Sequence, residues 1–155
     1  MAGEYLGERD SDGLIGILCY KIATISKQKS EAMFQQASLD INSEQAWILT
    51  KAYEKLDEGV HQSDLVTQEQ IIGAKSQVSR LIHDLVEKEY LVRRVDPNDR
   101  RQTYLTITNS GLERMHQVQD IVQKRKEVYL HTLTIDEYHT LVSLLKKALV
   151  GVKED

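Results

Sequence analysis

The stretch DPNDRRQTYLT, Asp96–Thr106, joins a rigid turn to an abrupt run of strand-forming residues. Pro97 is the only proline in the chain, and after Asp96 it fits the second position of a type I turn. The segments on either side, YLVRRV and QTYLTI, are rich in the β-branched and aromatic residues that favour strands. The sequence therefore predicts a β-hairpin that reverses direction at Pro97 and carries several charges at its tip.

A pair of helices is predicted directly upstream of this hairpin. Ser63 fits the N-cap of a short helix that extends to about Gln70, and the residues IIGA interrupt it before another helix begins near Lys75. In that second helix, apolar residues recur at helical spacing and form one stripe that must face a core: Val78, Leu81, Ile82 and Leu85. Two helices around a tight turn, followed by a charged hairpin, have the layout of a winged helix-turn-helix.

The other face of the second helix is polar. It groups short hydroxyls, an amide and two long cations near the helix N-terminus: Lys75, Ser76, Gln77, Ser79 and Arg80. Such a surface suits the major groove of DNA, because lysine and arginine donate to guanine, glutamine bonds adenine in both directions, and a helix N-terminus attracts phosphate. A solvated polar face is the ordinary alternative. The hairpin that follows favours the interpretation as a DNA-reading surface.

Long amphipathic helices are predicted on both sides of this lobe. Ser11 fits the N-cap of a helix over residues 12–37, and Asn42 with Gln45 fits a capping box that begins another. After the hairpin, one apolar stripe continues along a long helix, and a further helix follows near Thr134. These stripes could pack within one subunit. A two-layer winged lobe does not need so many long helices, so the leftover apolar faces predict a homodimer.

The predicted fold class is therefore mainly α with a small β-hairpin wing. It is a winged helix-turn-helix with long N- and C-terminal dimerisation helices. The chain has 155 residues, which is about the size of one domain. We expect a single domain over residues 1–155, with a winged DNA-binding lobe over residues 42–108 and a helical dimerisation region over residues 11–38 and 109–152.

Charge and hydropathy limit the choice of partners. The net charge of −4 argues against a protein that coats nucleic acid by bulk attraction, but seven basic and five acidic residues lie between Lys75 and Arg101. The apolar runs are far shorter than the roughly 20 residues that a membrane span needs. The acidic N-terminus also lacks the residue order of a secretory signal. We expect a cytoplasmic protein that has no membrane partner.

The sequence resembles the MarR family of bacterial transcription regulators, and the segment that carries the resemblance is DPNDRRQTYLTITNSG, residues 96–111. It contains the D-x-R wing signature of that family, here Asp99 and Arg101, followed by LTITNSG, where the second wing strand enters a long helix. The resemblance extends upstream through KSQVSRLIHDLVEKEYLVRR and, more loosely, INSEQAWIL. It implies a homodimeric DNA-binding repressor or activator that is often released from DNA by a small phenolic or other aromatic ligand.

We expect the second helix of the pair to read bases and phosphates in the major groove of double-stranded DNA. Arg100 and Arg101 would project from the hairpin tip into the adjacent minor groove, whereas Asp99 would pair with a nearby arginine and restrain the hairpin. Arg93 and Arg94 alternate across a strand, so at most one faces the phosphates. The predicted DNA-binding set is Lys75, Ser76, Gln77, Ser79, Arg80, Arg94, Asp99, Arg100 and Arg101. A two-fold dimer of such lobes would bind a palindromic operator.

Cys19 provides one alternative function. It is the only cysteine, so no intrachain disulfide can form, as suits a reducing compartment. Some relatives in the peroxide-sensing branch of the MarR family use a cysteine in the first helix as an oxidation switch, which makes Cys19 a candidate redox residue. A buried cysteine that acts as a small hydrophobe is the commoner case. A winged-helix module that binds another protein is a second alternative, because a fold does not fix a function.

Aromatic residues and histidines suggest two further kinds of site. Four aromatic side chains could line a pocket for an effector or belong to the core: Trp47, Tyr53, Tyr90 and Tyr104. The five histidines do not cluster at ligand spacing, so neither a metal site nor a cofactor is predicted. The sequence also lacks a phosphate-cradling glycine loop and a nucleophile elbow, and we do not expect an enzyme.

Overall fold

The computed structural model describes residues 11–67 and 75–154, which contain six helices and three short strands. The helices are α1 (Ser11–Gln36), α2 (Ser43–Glu54), α3 (Gln62–Thr67), α4 (Lys75–Glu87), α5 (Asn109–Leu130) and α6 (Ile135–Glu154). The strands are β1 (Val60–His61), β2 (Leu91–Val95) and β3 (Thr103–Ile107). The chain divides into two compact units, Met1–His116 and Gln117–Asp155, and the boundary between them falls within α5. The predicted mainly helical fold with a β-hairpin wing is confirmed.

The sheet has one strand more than the hairpin that the sequence predicts. β2 and β3 pair antiparallel with Arg93 opposite Leu105, and β1 pairs antiparallel with the other edge of β3, with Val60 opposite Leu105. The strand order is therefore β1-β3-β2. Gly59 leads into β1 with a φ of 74°, in the left-handed region that favours glycine. β1 is only two residues long, too short for a period-two pattern to reveal it.

The winged lobe is built around a compact apolar core. The largest fully buried side chains among the described residues are Ile48, Leu49, Val78, Ile82, Leu85, Leu91 and Leu105. They come from α2, α4, β2 and β3. The stripe predicted for α4 is buried at three of its four positions, and the fourth, Leu81, is half-buried. This burial fixes which face of α4 points away from the protein.

The predicted capping box at the start of α2 is present. The Asn42 side chain accepts a hydrogen bond from the Gln45 backbone N at 2.8 Å, and the Gln45 side chain accepts one from the Asn42 backbone N at 3.0 Å. Further along, α3 begins at Gln62, directly after β1, so Ser63 lies inside the first turn rather than at the predicted N-cap. The predicted continuation to Gln70 and the IIGA interruption lie outside the described residues.

The LTITNSG segment connects the wing to α5 through a closely packed junction. Thr108 caps α5, because its Oγ1 accepts a hydrogen bond from Gly111 N at 3.0 Å. The same hydroxyl donates to the Glu89 carbonyl at 2.6 Å, and Thr108 N donates to the Tyr90 carbonyl at 3.1 Å. A Cβ at Gly111 would lie 2.2 Å from that Tyr90 carbonyl oxygen. Glycine is therefore required for α5 to begin this close to the end of the α4–β2 connection.

The long helices leave apolar side chains uncovered. On α1 they recur at helical spacing and include Leu18, which is 49% exposed. On α6 they include Leu144, which is 56% exposed. Along the predicted stripe of α5, Met115 and Val118 are buried, whereas Val122 is exposed. Among the described residues, no helix combines the length and the apolar character that crossing a membrane requires.

Candidate nucleic-acid interface

The first turns of α4 present a polar surface to solvent. Four of the five residues predicted to read DNA are exposed there: Lys75, Ser76, Gln77 and Arg80. Ser79 differs, because it is half-buried and its Oγ accepts a hydrogen bond from Gln62 Nε2 at 3.1 Å. This hydrogen bond joins α4 to α3 and leaves the Ser79 O–H as a donor. Helical spacing alone could not distinguish Ser79 from Ser76, because the distinction depends on where α3 lies.

The orientation of α4 is also fixed by a polar contact with α2. Asp84 accepts hydrogen bonds from Lys88 Nζ at 2.7 Å and from the side-chain amide of Gln45. Gln45 is buried and belongs to the capping box of α2, so one side chain joins the start of α2 to the last turn of α4. The hydrogen bond from Lys88 is the largest cause that holds the pKa of the Asp84 carboxyl below its usual value of 3.8.

Because the pKa of Asp84 is lowered in the folded protein, its ionised carboxylate stabilises the fold, and this stabilisation is lost in acid. Its contribution is present above the usual value of 3.8 and is lost as the pH falls through the lower folded value. Asp84→Asn should therefore reduce stability at neutral pH and flatten the loss of stability below about pH 4. Urea unfolding of the wild type and the variant across this range measures the effect, with the exposed Glu87→Gln as control. Parallel pH profiles for the wild type and Asp84→Asn would contradict the expectation.

His83 extends the polar face beyond the predicted set. It is exposed and lies three residues after Arg80, which places the two side chains on neighbouring positions of the helix surface. Its ring nitrogens can donate or accept hydrogen bonds, so it has the chemistry to contact a phosphate or a base edge. In the sequence His83 also follows Ser79 at i+4, but helical spacing alone does not give His83 a role in DNA binding.

The wing carries exposed arginines on its strand and at its tip. Arg100 and Arg101 are exposed in the turn between β2 and β3. Arg93 and Arg94 are both exposed as well, and the cross-strand register places Arg93 opposite Leu105 and Arg94 opposite Tyr104. Because successive side chains of a strand point to opposite faces, these two arginines lie on opposite sides of the hairpin.

The acidic residues of the wing differ from the arrangement that the family resemblance implies. Asp99 is exposed, and its Oδ1 accepts a hydrogen bond from the backbone N of Arg101 at 3.0 Å. Among the ion pairs of the described residues, none joins Asp99 to an arginine side chain. Asp96 is the buried acid of this turn, and its Oδ1 accepts a hydrogen bond from Asn98 N at 2.7 Å. Sequence position alone does not reveal which of these two aspartates is buried.

The four candidate pocket aromatics occupy different environments. Trp47 lines a cavity of about 100 Å³ between α2, β1 and α3, which is below the roughly 300 Å³ of ordinary small-molecule sites. Tyr53 is half-buried on α2. The buried Tyr90 hydroxyl donates to Asp40 at 2.9 Å and accepts from Arg114 at 2.8 Å, and the Tyr104 ring centroid lies 4.2 Å from that of His61. Of the four aromatic residues, only Trp47 lines this cavity.

In the part of the chain that the structure describes, few side chains have the chemistry of a redox site or of a metal site. Cys19 is a free cysteine that lies exposed on α1 of the single chain. Its role in peroxide sensing stays a prediction. No group of three or more histidine, cysteine, aspartate or glutamate residues that could hold a metal ion occurs within residues 11–67 and 75–154.

An exposed polar helix and an arginine-bearing wing on one lobe define a winged-helix protein of the nucleic-acid-binding class. The family model for the transcriptional regulator SarA/Rot matches residues 24–118, and the chain belongs to this family of transcriptional regulators. The family and the fold are those of regulators rather than enzymes. The resemblance to MarR regulators is also confirmed, because solved structures of that family share the fold.

Three similar proteins illustrate the relationship. The structure of the MepR–DNA complex of Staphylococcus aureus is 25% identical, covers 88% of this chain and 96% of that chain, and has a TM-score of 0.74. A MarR transcriptional regulator from Methanosarcina mazei Go1, 21% identical, covers 93% and 100% with a TM-score of 0.78, which shows the shared fold. A Thauera aromatica protein named for transcriptional regulation of the hcr operon is 29% identical over 73 residues, which are 47% of this chain and 44% of that protein.

Proposed function

We propose that this chain is a sequence-specific DNA-binding repressor that recognises a palindromic operator as a homodimer. The observation that carries the proposal is the exposed polar face of α4 on the same lobe as the exposed arginines of the wing. Membership of a family of transcriptional regulators supports it, as does the similarity to MepR, whose structure was determined with DNA. A cytoplasmic location follows from the proposed target, bacterial operator DNA.

In this proposal the two surfaces read different grooves. Gln77 and Arg80 on α4 contact base edges in the major groove, and Lys75 and Ser76 at the helix N-terminus contact phosphates. Arg101 and Arg100 on the wing tip enter the adjacent minor groove, where narrow A·T-rich segments concentrate negative potential. Ser79 acts indirectly, because its hydroxyl fixes α4 against Gln62. Arg94 contributes to DNA binding from one side of the hairpin.

The experiment that tests the proposal is selection of binding duplexes from random-sequence DNA by the purified full-length chain. We expect an enriched inverted repeat with half-sites about one helical turn apart, because two-fold related recognition helices are spaced in this way. Enrichment of a single asymmetric site would contradict the homodimer. If no sequence is enriched while the protein is folded, the alternative of a winged-helix module that binds another protein is favoured.

The homodimer is supported by the apolar faces that α1 and α6 expose, since surfaces of this kind mark association sites. Leu144→Glu should raise the dimer dissociation constant at least about a hundredfold, because a buried unpaired charge is strongly unfavourable. Ser143→Glu adds the same charge at a neighbouring exposed position of α6 and should leave the dimer intact. Sedimentation velocity at micromolar concentration measures both variants. A wild-type monomer under these conditions would contradict the proposed dimer.

The family resemblance extends the proposal to a small aromatic effector that releases the protein from DNA. Trp47 is the only tryptophan of the chain, so its fluorescence reports directly on a ligand that enters the neighbouring cavity. Titration with simple phenols should change this fluorescence and dissociate the selected duplex over the same concentration range. The oxidative alternative is tested separately, because Cys19→Ser should abolish any loss of DNA binding after treatment with hydroperoxide.

A further inference from the structure

Asp96 is a buried acid at the base of the wing. It is 6% exposed, whereas Asp99, three residues further on, lies in the solvent. Removing a carboxylate from water is unfavourable unless hydrogen bonds or opposite charges compensate for the lost hydration. The contacts of Asp96 come both from the turn that it begins and from the sheet beneath it.

On the side of the turn, Asp96 holds the backbone of the wing tip. Its Oδ1 accepts hydrogen bonds from Asn98 N at 2.7 Å and from Asp99 N at 3.4 Å. Its own backbone N donates to the Gln102 carbonyl at 3.0 Å, which closes the base of the segment that contains Arg100 and Arg101. A single residue therefore restrains both ends of the segment that carries the tip arginines.

On the side of the sheet, Asp96 connects this tip to β3 and β1. Burial and the neighbouring Asp96 carboxylate raise the pKa of the Tyr104 hydroxyl, and the Tyr104 ring centroid lies 4.2 Å from that of His61, its partner across the β1–β3 pairing. His61 Nε2 is 4.0 Å from Asp96 Oδ2. The Asn98 backbone N–H is the largest cause that lowers the pKa of Asp96, in keeping with an ionised side chain at neutral pH.

We propose that Asp96 is the positioning residue of the wing, which holds the hairpin tip in the orientation that presents Arg100 and Arg101 to DNA. This inference rests on the proposed DNA-binding function. Asp96 itself is buried and makes no contact with DNA. Its effect arises because a tip that is ordered before binding loses less conformational entropy when the arginines engage the groove.

Two variants separate positioning from charge. Asp96→Asn and Glu87→Gln each remove one negative charge from the winged lobe, and Glu87 is an exposed residue of α4, so a purely Coulombic effect would tighten DNA binding in both. Positioning predicts that Asp96→Asn weakens binding about tenfold, because its charge-assisted hydrogen bonds become weaker neutral ones. Glu87→Gln should bind at least as tightly as the wild type. The probe is the duplex enriched by the wild-type chain, and equal affinities of the two variants would overturn the proposal.

A second comparison distinguishes positioning from a general folding defect. In an Arg100→Ala/Arg101→Ala background, Asp96→Asn should cause no further loss of affinity, because the side chains that it positions are missing. A loss of the same size in both backgrounds would overturn the proposal. Urea unfolding establishes the folded fraction of every variant under the binding conditions.

Tyr104→Phe provides an independent variant should Asp96→Asn fail to fold. It removes the hydroxyl next to the Asp96 carboxylate and keeps the ring against His61. Its binding should be several-fold weaker, and this deficit should also vanish in the double-arginine background. Unchanged binding by Tyr104→Phe would count against the proposal. A wild-type chain that enriches no duplex would defeat the proposed function as well, whereas equal binding by Asp96→Asn and Glu87→Gln defeats the role of Asp96 alone.

Discussion

Gly111→Ala is expected to lower the free energy of unfolding by about 3 kcal/mol, at the upper end of the usual range for overpacking. The added Cβ would lie 2.2 Å from the Tyr90 carbonyl oxygen and 2.7 Å from a side-chain carbon of Ile107. The first of these atoms belongs to the backbone and cannot move away by a rotamer change. The Tyr90 carbonyl also accepts the hydrogen bond from Thr108 N, so its displacement would disturb the junction between the wing and α5.

Urea unfolding measures this loss, and Gly16→Ala is the matched control. Gly16 lies within α1, and a Cβ there would meet no atom within 4 Å. Alanine should be favoured over glycine at this helical position by about 0.5–1 kcal/mol, so the control variant should be slightly more stable than the wild type. If the two alanine variants changed stability equally, the close approach at Gly111 would not be the cause.

The combined variant Arg80→Ala/Arg101→Ala should lose about a hundredfold or more in affinity for the selected duplex. Each arginine contact with a base or in a groove is worth roughly 1–3 kcal/mol, and one residue lies on α4 while the other lies on the wing, so the losses should add. For each phosphate contact that is removed, the slope of log affinity against log salt should also decrease by about one unit.

Binding measured over a series of salt concentrations tests this expectation. Lys146→Ala/Lys147→Ala is the control, because it removes two exposed cations from α6 and leaves α4 and the wing unchanged. The control should retain the wild-type affinity and salt slope. Unchanged affinity together with an unchanged slope in the arginine variant would remove both residues from the proposed interface.

Features set by local sequence could be predicted, because their physical causes lie within a few residues. The stripe that includes Val78, Ile82 and Leu85 predicted the buried side of α4, and the spacing of Asn42 and Gln45 predicted the capping box. The hairpin followed from strand-forming residues on both sides of Pro97. In each case local geometry and the later tertiary packing favour the same structure.

Features set by distant contacts could not be predicted in this way. β1 is a strand only because β3 pairs with it, and Ser79 is half-buried with its hydroxyl bonded to Gln62, a residue of another helix. Asp96 and Asp99 are the same residue type three positions apart, so the sequence alone did not show which would be buried. Asp96 lies at the base of the turn, where its backbone N bonds Gln102 and its carboxylate is 4.0 Å from His61 of β1, and these contacts exist only after the sheet has formed.

Gln45 belongs both to the capping box of α2 and to the contact with Asp84 on α4, and this dual role connects separate helices of the winged lobe. Glu31 on α1 accepts hydrogen bonds from the backbone N and hydroxyl of Ser43, at 2.9 and 2.6 Å, and Gln45 continues the path to Asp84 on α4. Three helices are thus coupled through side chains at the first turn of α2. A displacement of α1 that moves Glu31 would strain these hydrogen bonds, so the first turn of α2 connects α1 to the helix that we propose reads DNA.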